Sequence, residues 1–275
     1  MHRTAGIISI GDELAIGQTL DTNSRWLSGR LTELGVAVRR HVTIADDLDA
    51  MVREFERFAR DFDLVIISGG LGPTADDLTR FALARVLGDE LVTDEPALEQ
   101  VRSWFTSSSR EMPEANAVQA QRPVSATMIA NAHGTAPGLF ARVHECDVWC
   151  VPGPPIELRP MFEAAIAPRI ETGRVVVTRV LRTAGLGEST IAERLGSLMD
   201  RDRNPLVGTT ASQGVVSCRV RYEGDDADEG QRLVDAAVEE VRAIVGAYAF
   251  GEAEETQAGA IVELLAERRK SVSVV

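Results

Sequence analysis

Ile66-Ile67-Ser68-Gly69-Gly70-Leu71-Gly72-Pro73-Thr74-Ala75-Asp76-Asp77-Leu78-Thr79 is the stretch on which the reading of this chain turns. It opens as a strand, because residues 63–67 form a short apolar, β-branched run of the kind buried in a parallel sheet. It breaks at Gly69-Gly70, where the backbone can take positive φ and come close to a ligand. The spacing of Leu78, Ala82, Leu83, Val86 and Leu87 then predicts a helix over 75–87. Strand, glycine loop and helix in that order suit an anion. Free amides and the positive end of the helix dipole favour a phosphate there.

The loop has neither the lysine of a Walker loop nor the full Gly-x-Gly-x-x-Gly spacing of a dinucleotide fold. It does place Asp76 and Asp77 in the first turn of the predicted helix. Two readings stand. The carboxylates cap the helix and complement its dipole, worth a few tenths to about 1 kcal/mol each. Or they hold a cation. Beside a bound phosphate they need one, since two like charges about 4 Å apart repel by roughly 4 kcal/mol at an effective dielectric near 20.

A chain of 275 residues can bury a large core in one or two domains. Its 44% apolar and 26% charged residues are ordinary for a globular protein. A formal net charge of −13 argues against broad nucleic-acid or membrane binding, which wants basic patches. An anionic substrate must therefore be drawn in by local amides or a metal. Three cysteines are too few for a disulfide framework, and Cys146 and Cys150 have the wrong spacing for a zinc knuckle. Buried structural thiols are expected. The four histidines form no pair at ligand spacing. No signal peptide opens the chain and no run approaches a membrane span, so a reducing cytoplasm is the expected compartment.

Residues 5–10 read as a first buried strand that runs into Gly11-Asp12-Glu13-Leu14, an acid-bearing strand end where open α/β sheets bind ligands. Asp21-Thr22-Asn23-Ser24 starts a helix with Trp26, Leu27, Leu31 and Leu34 on one face, closed by Gly35. A strand over 36–42 and an amphipathic helix over 46–60 follow. The order βαβαβα implies a parallel sheet with right-handed crossovers. Next come a helix over 95–105, a flexible connection over 107–113, and an amide-rich segment with Asn116, Gln119 and Gln121. A strand over 126–130 leads to the small-residue loop Asn131-Ala132-His133-Gly134-Thr135-Ala136-Pro137-Gly138. A strand over 147–151 ends in Pro152-Gly153-Pro154-Pro155. That rigid turn puts Glu157 in the first turn of the next helix.

A second unit starts after Gly173. Its order is strand 174–183, helix to 199, strands 206–211 and 215–222, and helix 228–245, a small α+β module of KH-like or split-βαβ type. An RNA-binding KH domain wants a Gly-x-x-Gly clamp, and the last helix here opens acidic, so RNA is not the expected partner. A tail helix over 254–270 precedes Ser271-Val272-Ser273-Val274-Val275, which reads as the first strand of a domain that does not follow.

In these motifs the chain resembles the CinA (competence/damage-inducible protein A) family and, more broadly, the molybdopterin-binding fold. The matching residues are Gly11-Asp12-Glu13-Leu14 with Gly17, Asp21-x-Asn23, and Gly69-Gly70-Leu71-Gly72-Pro73-Thr74-x-Asp76-Asp77-Leu78-Thr79. They continue through Asn116-x-x-Gln119-Ala120, Asn131-x-x-Gly134-Thr135-Ala136-Pro137-Gly138 and Pro152-Gly153-x-Pro155-x-Glu157-Leu158. They run in register over residues 5 to 170, and Gly185-Leu186-Gly187-Glu188-Ser189 resembles the family's small middle domain.

The resemblance implies a three-layer αβα sandwich with a mostly parallel sheet over 1–172, a KH-like α+β domain over 173–252, and a helix and stub over 253–275. Full-length relatives often add a nicotinamide-nucleotide amidohydrolase, which is not expected here. The first domain is associated in the family with metal-dependent hydrolysis of ADP-ribose to AMP and ribose 5-phosphate. Other members of the fold bind or adenylylate molybdopterin, and a non-catalytic regulatory role is the third reading. On the hydrolytic reading the amides of 69–74, with Gly69, Gly70, Gly72 and Thr74, cradle phosphate. Asp77, with Asp12, Asp76 or Glu157, binds Mg²⁺, Mn²⁺ or Co²⁺. Asp77, Asp76 and Glu157 are the catalytic candidates. Asn23, Asn116, Gln119, Asn131, Gly134, Thr135 and Gly153 are the remaining substrate-binding candidates. No Ser–His pair or activated cysteine is in the motifs, so direct attack by water is expected. A nucleotide substrate and a homodimer or higher oligomer complete the expectation.

Overall fold

Alternation along three apolar strands builds the first unit of the protein. In this computed structural model, which describes residues 1–107 and 109–273, the chain divides into Met1–Thr172 and Gly173–Val275. The first unit runs β1 (Thr4–Ile10), α1 (Asp12–Ala15), α2 (Thr22–Glu33), β2 (Ala37–Ile44), α3 (Leu48–Asp61), β3 (Leu64–Ser68) and α4 (Thr79–Leu87). It continues with β4 (Leu91–Thr93), α5 (Glu95–Ser107), β5 (Gln121–Pro123), β6 (Thr127–Ile129), β7 (Gly138–Val143), β8 (Cys146–Val151) and α6 (Pro155–Met161). Six strands form one sheet in the order β2-β1-β3-β8-β7-β6. The first four are mutually parallel, and β7 and β6 add antiparallel at the far edge.

Successive side chains on a strand point to opposite faces. Ile8, Val65, Ile67 and Val148 accordingly pack with Met51, Phe55 and Phe58 of α3 and Leu83 of α4. Ile7, Leu64, Ile66 and Trp149 pack with Leu27 and Leu31 of α2, Leu158 of α6 and the following Phe162. The result is three layers, αβα. Cys146, Cys150 and Cys218 are all buried free thiols, and burial pushes Cys146 up to about 12. Among the described residues no helix is long and apolar enough to cross a membrane.

The second unit runs β9 (Val175–Ala184), α7 (Glu188–Leu195), β10 (Leu206–Ser212), β11 (Val215–Gly224), α8 (Ala227–Val245), β12 (Ala249–Glu252) and α9 (Gln257–Glu267). Its antiparallel sheet has the order β10-β11-β9-β12. Gln213 and Gly214 both take positive φ in the β10–β11 turn, the geometry that matches the twist of a two-residue hairpin. Leu181, Val216, Cys218 and Val220 of the sheet pack with Ile191 of α7 and Val234, Val238 and Val241 of α8.

Several expectations are corrected. The helix expected over 75–87 begins only at Thr79, so Asp76 and Asp77 precede it. The amide-rich segment is a 3₁₀ helix, Glu114–Ala120. β4, β5, β7 and β12 were not expected: β4, β5 and β12 are very short, and β7 turns into β8 through His144-Glu145, which holds no Gly, Pro, Asn or Asp. The tail helix is shorter than expected, and residues 271–273 are not a strand. Val274 and Val275, assigned to that strand, lie outside the described residues, as does Ser108 of the expected flexible connection.

Candidate functional site

The four parallel strands end almost flush. Ile10 pairs with Ile44, Ser9 with Ser68, and Ser68 with Val151. Beyond each end the chain delivers acids: Asp12 and Glu13 after β1, Asp46 after β2, Asp76 and Asp77 after β3, and Glu157 after β8. The carboxyl edge of an open parallel sheet is where such folds bind ligands. A cleft of about 340 Å³ opens there. It brings together Gly69, Gly70, Gly72, Asp76, Asp77, Gln119, Thr135, Gly153 and Glu157 from the sequence expectation.

The cleft depends on close backbone approach. Gly69 has φ +106°, and a Cβ there would lie 2.4 Å from the Ile10 carbonyl oxygen of β1. A Cβ on Gly153 would sit 3.6 Å from the Gly69 Cα, so the turns after β3 and β8 pack backbone to backbone. Gly70 makes room for Thr79, whose hydroxyl donates to the Gly69 carbonyl at 2.7 Å. The Thr79 amide returns to the Gly70 carbonyl, and α4 therefore starts at Thr79.

Asp77 closes the glycine loop upon itself. Its carboxylate accepts from the Gly72 amide (2.8 Å), the Thr74 amide (2.8 Å) and the Thr74 hydroxyl (2.5 Å). A short acid that hydrogen-bonds nearby amides competes with helix formation, which explains the late start of α4. The Gly72 and Thr74 amides expected to cradle phosphate thus hold Asp77 here. Beneath the loop, Arg80 is 1% exposed and donates to the Leu71 and Gly72 carbonyls at 2.5 and 3.1 Å. Burial pulls its pKa down to about 10, against the opposing pull of Asp77.

On the opposite wall Glu157 accepts from Asn131 Nδ2 at 2.6 Å. Asn131 is buried and fully engaged: it also donates to the Ala136 carbonyl and accepts from the His133 amide. It positions Glu157 and shapes the loop, and it is not a cleft-lining group as expected. Gly134 serves the same carboxylate, since a Cβ on it would lie 2.0 Å from Glu157 Oε2. Asn116 Nδ2 donates to Gln119 Oε1, so Asn116 orients Gln119 from behind. Asn23 Nδ2 donates to the Gly153 carbonyl (2.7 Å) and Ser68 Oγ (3.1 Å), while among the described residues its buried Oδ1 has no partner. Thr74 likewise stands outside the lining.

Asp12 is corrected as well. Its amide donates to Asp46 Oδ2 and its Oδ1 accepts from the Asp46 amide, which ties the β1 and β2 ends together outside the cleft lining. Glu13 and Asp46 line the cleft in its stead. Burial, then Asp12, Asp76 and Glu13 nearby, hold the Asp46 carboxyl above its usual range despite the Asp12 amide. Neither Asp46 nor Arg80 carried a functional expectation. The signal for Asp46 was an acid shortly past a predicted strand end, in the same place as Asp12 after β1 and Asp76 after β3. Arg80 had no signal in the sequence, since the helix expected over 75–87 put it in the second turn and only the observed start at Thr79 brings it into the first.

Burial also holds the Glu157 carboxyl above the usual range, with the Asn131 bond and His133 pulling the other way. A raised folded pKa means this group's contribution to stability is complete below its ordinary value of 4.5 and is lost as pH rises through the folded value. Glu157→Gln should therefore melt slightly above wild type at pH 7–8, on the order of 1 °C. The difference should vanish in acid. A lower melting temperature for the variant at pH 7 would show that the ionised carboxylate is a net stabiliser, as in helix capping.

A family model described as "Probable molybdopterin binding domain" matches residues 6–172, and one for the "Damage-inducible protein CinA KH domain" matches residues 178–251. The chain belongs to the CinA family. A CinA-like protein of Dictyoglomus thermophilum is 34% identical over 270 residues, covering 98% of this chain and 66% of the relative. A CinA-like protein of Kosmotoga olearia is 33% identical over 271 residues with the same coverage. The chain thus spans just under two thirds of the length of these CinA relatives. The crystal structure of a CinA protein of unknown function from Thermoplasma acidophilum is 34% identical, with a TM-score of 0.57. It covers 62% of this chain and 99% of the neighbour.

Proposed function

We propose that the first unit hydrolyses a nucleotide pyrophosphate of the ADP-ribose type to AMP and ribose 5-phosphate, with a divalent metal ion. The observation that carries this reading is the convergence of Glu13, Asp46, Asp76, Asp77 and Glu157 on one cleft beside two glycine turns. Such turns suit phosphate, yet each carboxylate repels it, by roughly 4 kcal/mol for a pair about 4 Å apart at a dielectric near 20. A cation between them resolves the conflict. Among the described residues no three His, Cys, Asp or Glu stand close enough to hold a metal by themselves. An Mg²⁺, Mn²⁺ or Co²⁺ ion here would therefore need the substrate's phosphate oxygens as well as one or two carboxylates. Asp77 and Glu157 are the residues that would hold it, with Asp46 replacing Asp12. When bound, the ion neutralises the pyrophosphate and lowers the pKa of an attacking water.

The chain's own groups divide the remaining work. Gly69, Gly70 and Gly153 allow phosphate to reach the backbone, and Gln119 and Thr135 offer hydrogen bonds to ribose or phosphate. Where Asp77 and Asp46 hold the ion, Glu157 would be left to take a proton from the attacking water. Asp76 is exposed at the mouth of the cleft, where it would add to the negative charge that draws in a cation.

The test is AMP release from ADP-ribose by the purified chain in EDTA and in Mg²⁺, Mn²⁺ or Co²⁺. Release only with metal is expected. Folded protein that releases no AMP with any of these ions refutes the hydrolytic reading. The description of the matching family model would then favour the second reading, pterin binding, measured as tight uptake of molybdopterin without turnover.

A further inference from the structure

We propose that Arg80 is a positioning residue of this site, which acts through Asp77 by orienting the Leu71–Gly72 peptide. The structural part of the inference stands on its own geometry, and its kinetic part rests on the hydrolytic reading above.

Three observations support it. The first is placement. Arg80 is the second residue of α4, where the positive end of the helix dipole opposes a cation. It is buried to 1% exposure, and taking a charge out of water costs several kcal/mol even after relaxation. A site disfavoured twice over calls for something that only a guanidinium supplies. The second is how the side chain is used. Both terminal nitrogens donate to consecutive loop carbonyls, those of Leu71 and Gly72, and among the described residues no ion pair includes Arg80. A planar fork can span two such oxygens, whereas an ammonium is a point charge.

The third is stereochemical. The Leu71 carbonyl and the Gly72 amide belong to one planar trans peptide, so they point in opposite directions. Fixing the carbonyl on Arg80 Nη2 therefore turns the amide away from Arg80. That amide meets Asp77 Oδ1 at 2.8 Å. The second bond, to the Gly72 carbonyl, fixes the next peptide plane, so Arg80 anchors the backbone on both sides of the Gly72 Cα. One peptide plane thus lies between a buried guanidinium and the carboxylate proposed for metal and catalysis. Gly72 must be glycine for this to close, since a Cβ there would lie 2.4 Å from Asp77 Oδ2.

The test compares wild type, Arg80→Lys and Arg80→Met. The direct probe is the Gly72 amide resonance in protein labelled with carbonyl-¹³C leucine and ¹⁵N glycine, which reports only Leu–Gly peptides. Leu34–Gly35 and Leu87–Gly88 serve as internal controls for the first unit, and Leu186–Gly187 and Leu195–Gly196 for the second. In Arg80→Met the Gly72 resonance should move upfield as its bond to Asp77 weakens, with the control resonances unmoved. Arg80→Lys should shift it less. With ADP-ribose and the supporting metal, Arg80→Met should lose about 10²-fold in kcat with KM nearly unchanged, the scale on which a misplaced catalytic group acts. Arg80→Lys should recover about tenfold of that loss. A cavity defect alone would lower the melting temperature without this split and without rescue by lysine.

A Gly72 resonance unchanged in a folded Arg80→Lys or Arg80→Met protein overturns the inference. If Arg80→Met loses the control resonances as well, Arg80→Lys decides alone, because it keeps charge and bulk but lacks the planar fork that meets both carbonyls at their fixed positions. If wild type releases no AMP, the hydrolytic reading fails and the Gly72 resonance still decides the role of Arg80.

Discussion

Asp77→Asn is expected to lower AMP release by at least about 10²-fold while leaving a folded protein. Both carboxylate oxygens are in use: Oδ1 receives the Gly72 amide, and Oδ2 receives the Thr74 amide and hydroxyl. Asparagine has one oxygen and one NH₂, so one pair of donors must face each other. The loop then opens on that side, and the carboxylate charge that a metal needs is gone. Hydrogen bonds to a charged group are worth about 1.5–3 kcal/mol, and this carboxylate is partly exposed, so a stability loss of about 1–2 kcal/mol is expected. AMP release and thermal melting measured on the same preparation separate the two effects. Wild-type turnover by the variant would remove Asp77 from the mechanism.

Gly69→Ala should be the most damaging single methyl in the first unit. The residue sits at φ +106°, which costs an alanine roughly 1–3 kcal/mol, and its Cβ would meet the Ile10 carbonyl at 2.4 Å. That oxygen belongs to a central strand, so relief requires β1 and β3 to part at their paired ends. Overpacking of this kind adds about 1–3 kcal/mol. A total near 4 kcal/mol corresponds to a fall in Tm of roughly 10 °C for a domain of this size. Calorimetry reads it directly. An unchanged melting temperature would mean that the glycine turn reshapes freely, and the rigid cleft described above would be wrong.

The layering was legible early. Residues 64–67 are apolar at every position because β3 is covered on both faces, and Ile66 and Ile67 do enter opposite layers. The amphipathic pattern over 46–60 announced α3, since one helix face must meet the core. The glycine loop, Glu157 and Gln119 could be expected to line one cleft, because motif order along a chain survives folding and strand ends of a parallel sheet share one edge.

Side-chain partnership was not legible. Periodicity ran the α4 helix back to residue 75, since it cannot register that Asp77 has nearer amides to satisfy. Asp12 looked like a ligand and Asp46 like a helix start, yet their reciprocal bonds place Asp46 in the cleft and leave Asp12 outside its lining. Asn131 and Gly134 looked like substrate contacts and proved to hold Glu157.

By itself the sequence determined the layers, the sheet edge that bears the acids and the residue types available there, because hydrophobic period and glycine placement are local properties of the chain. Only the tertiary structure decided which acids face the cleft, which are tied up by amides, and that a buried arginine stands behind the loop. Those outcomes depend on distances between segments far apart in sequence, and on hydrogen bonds that each polar group must find once water is gone.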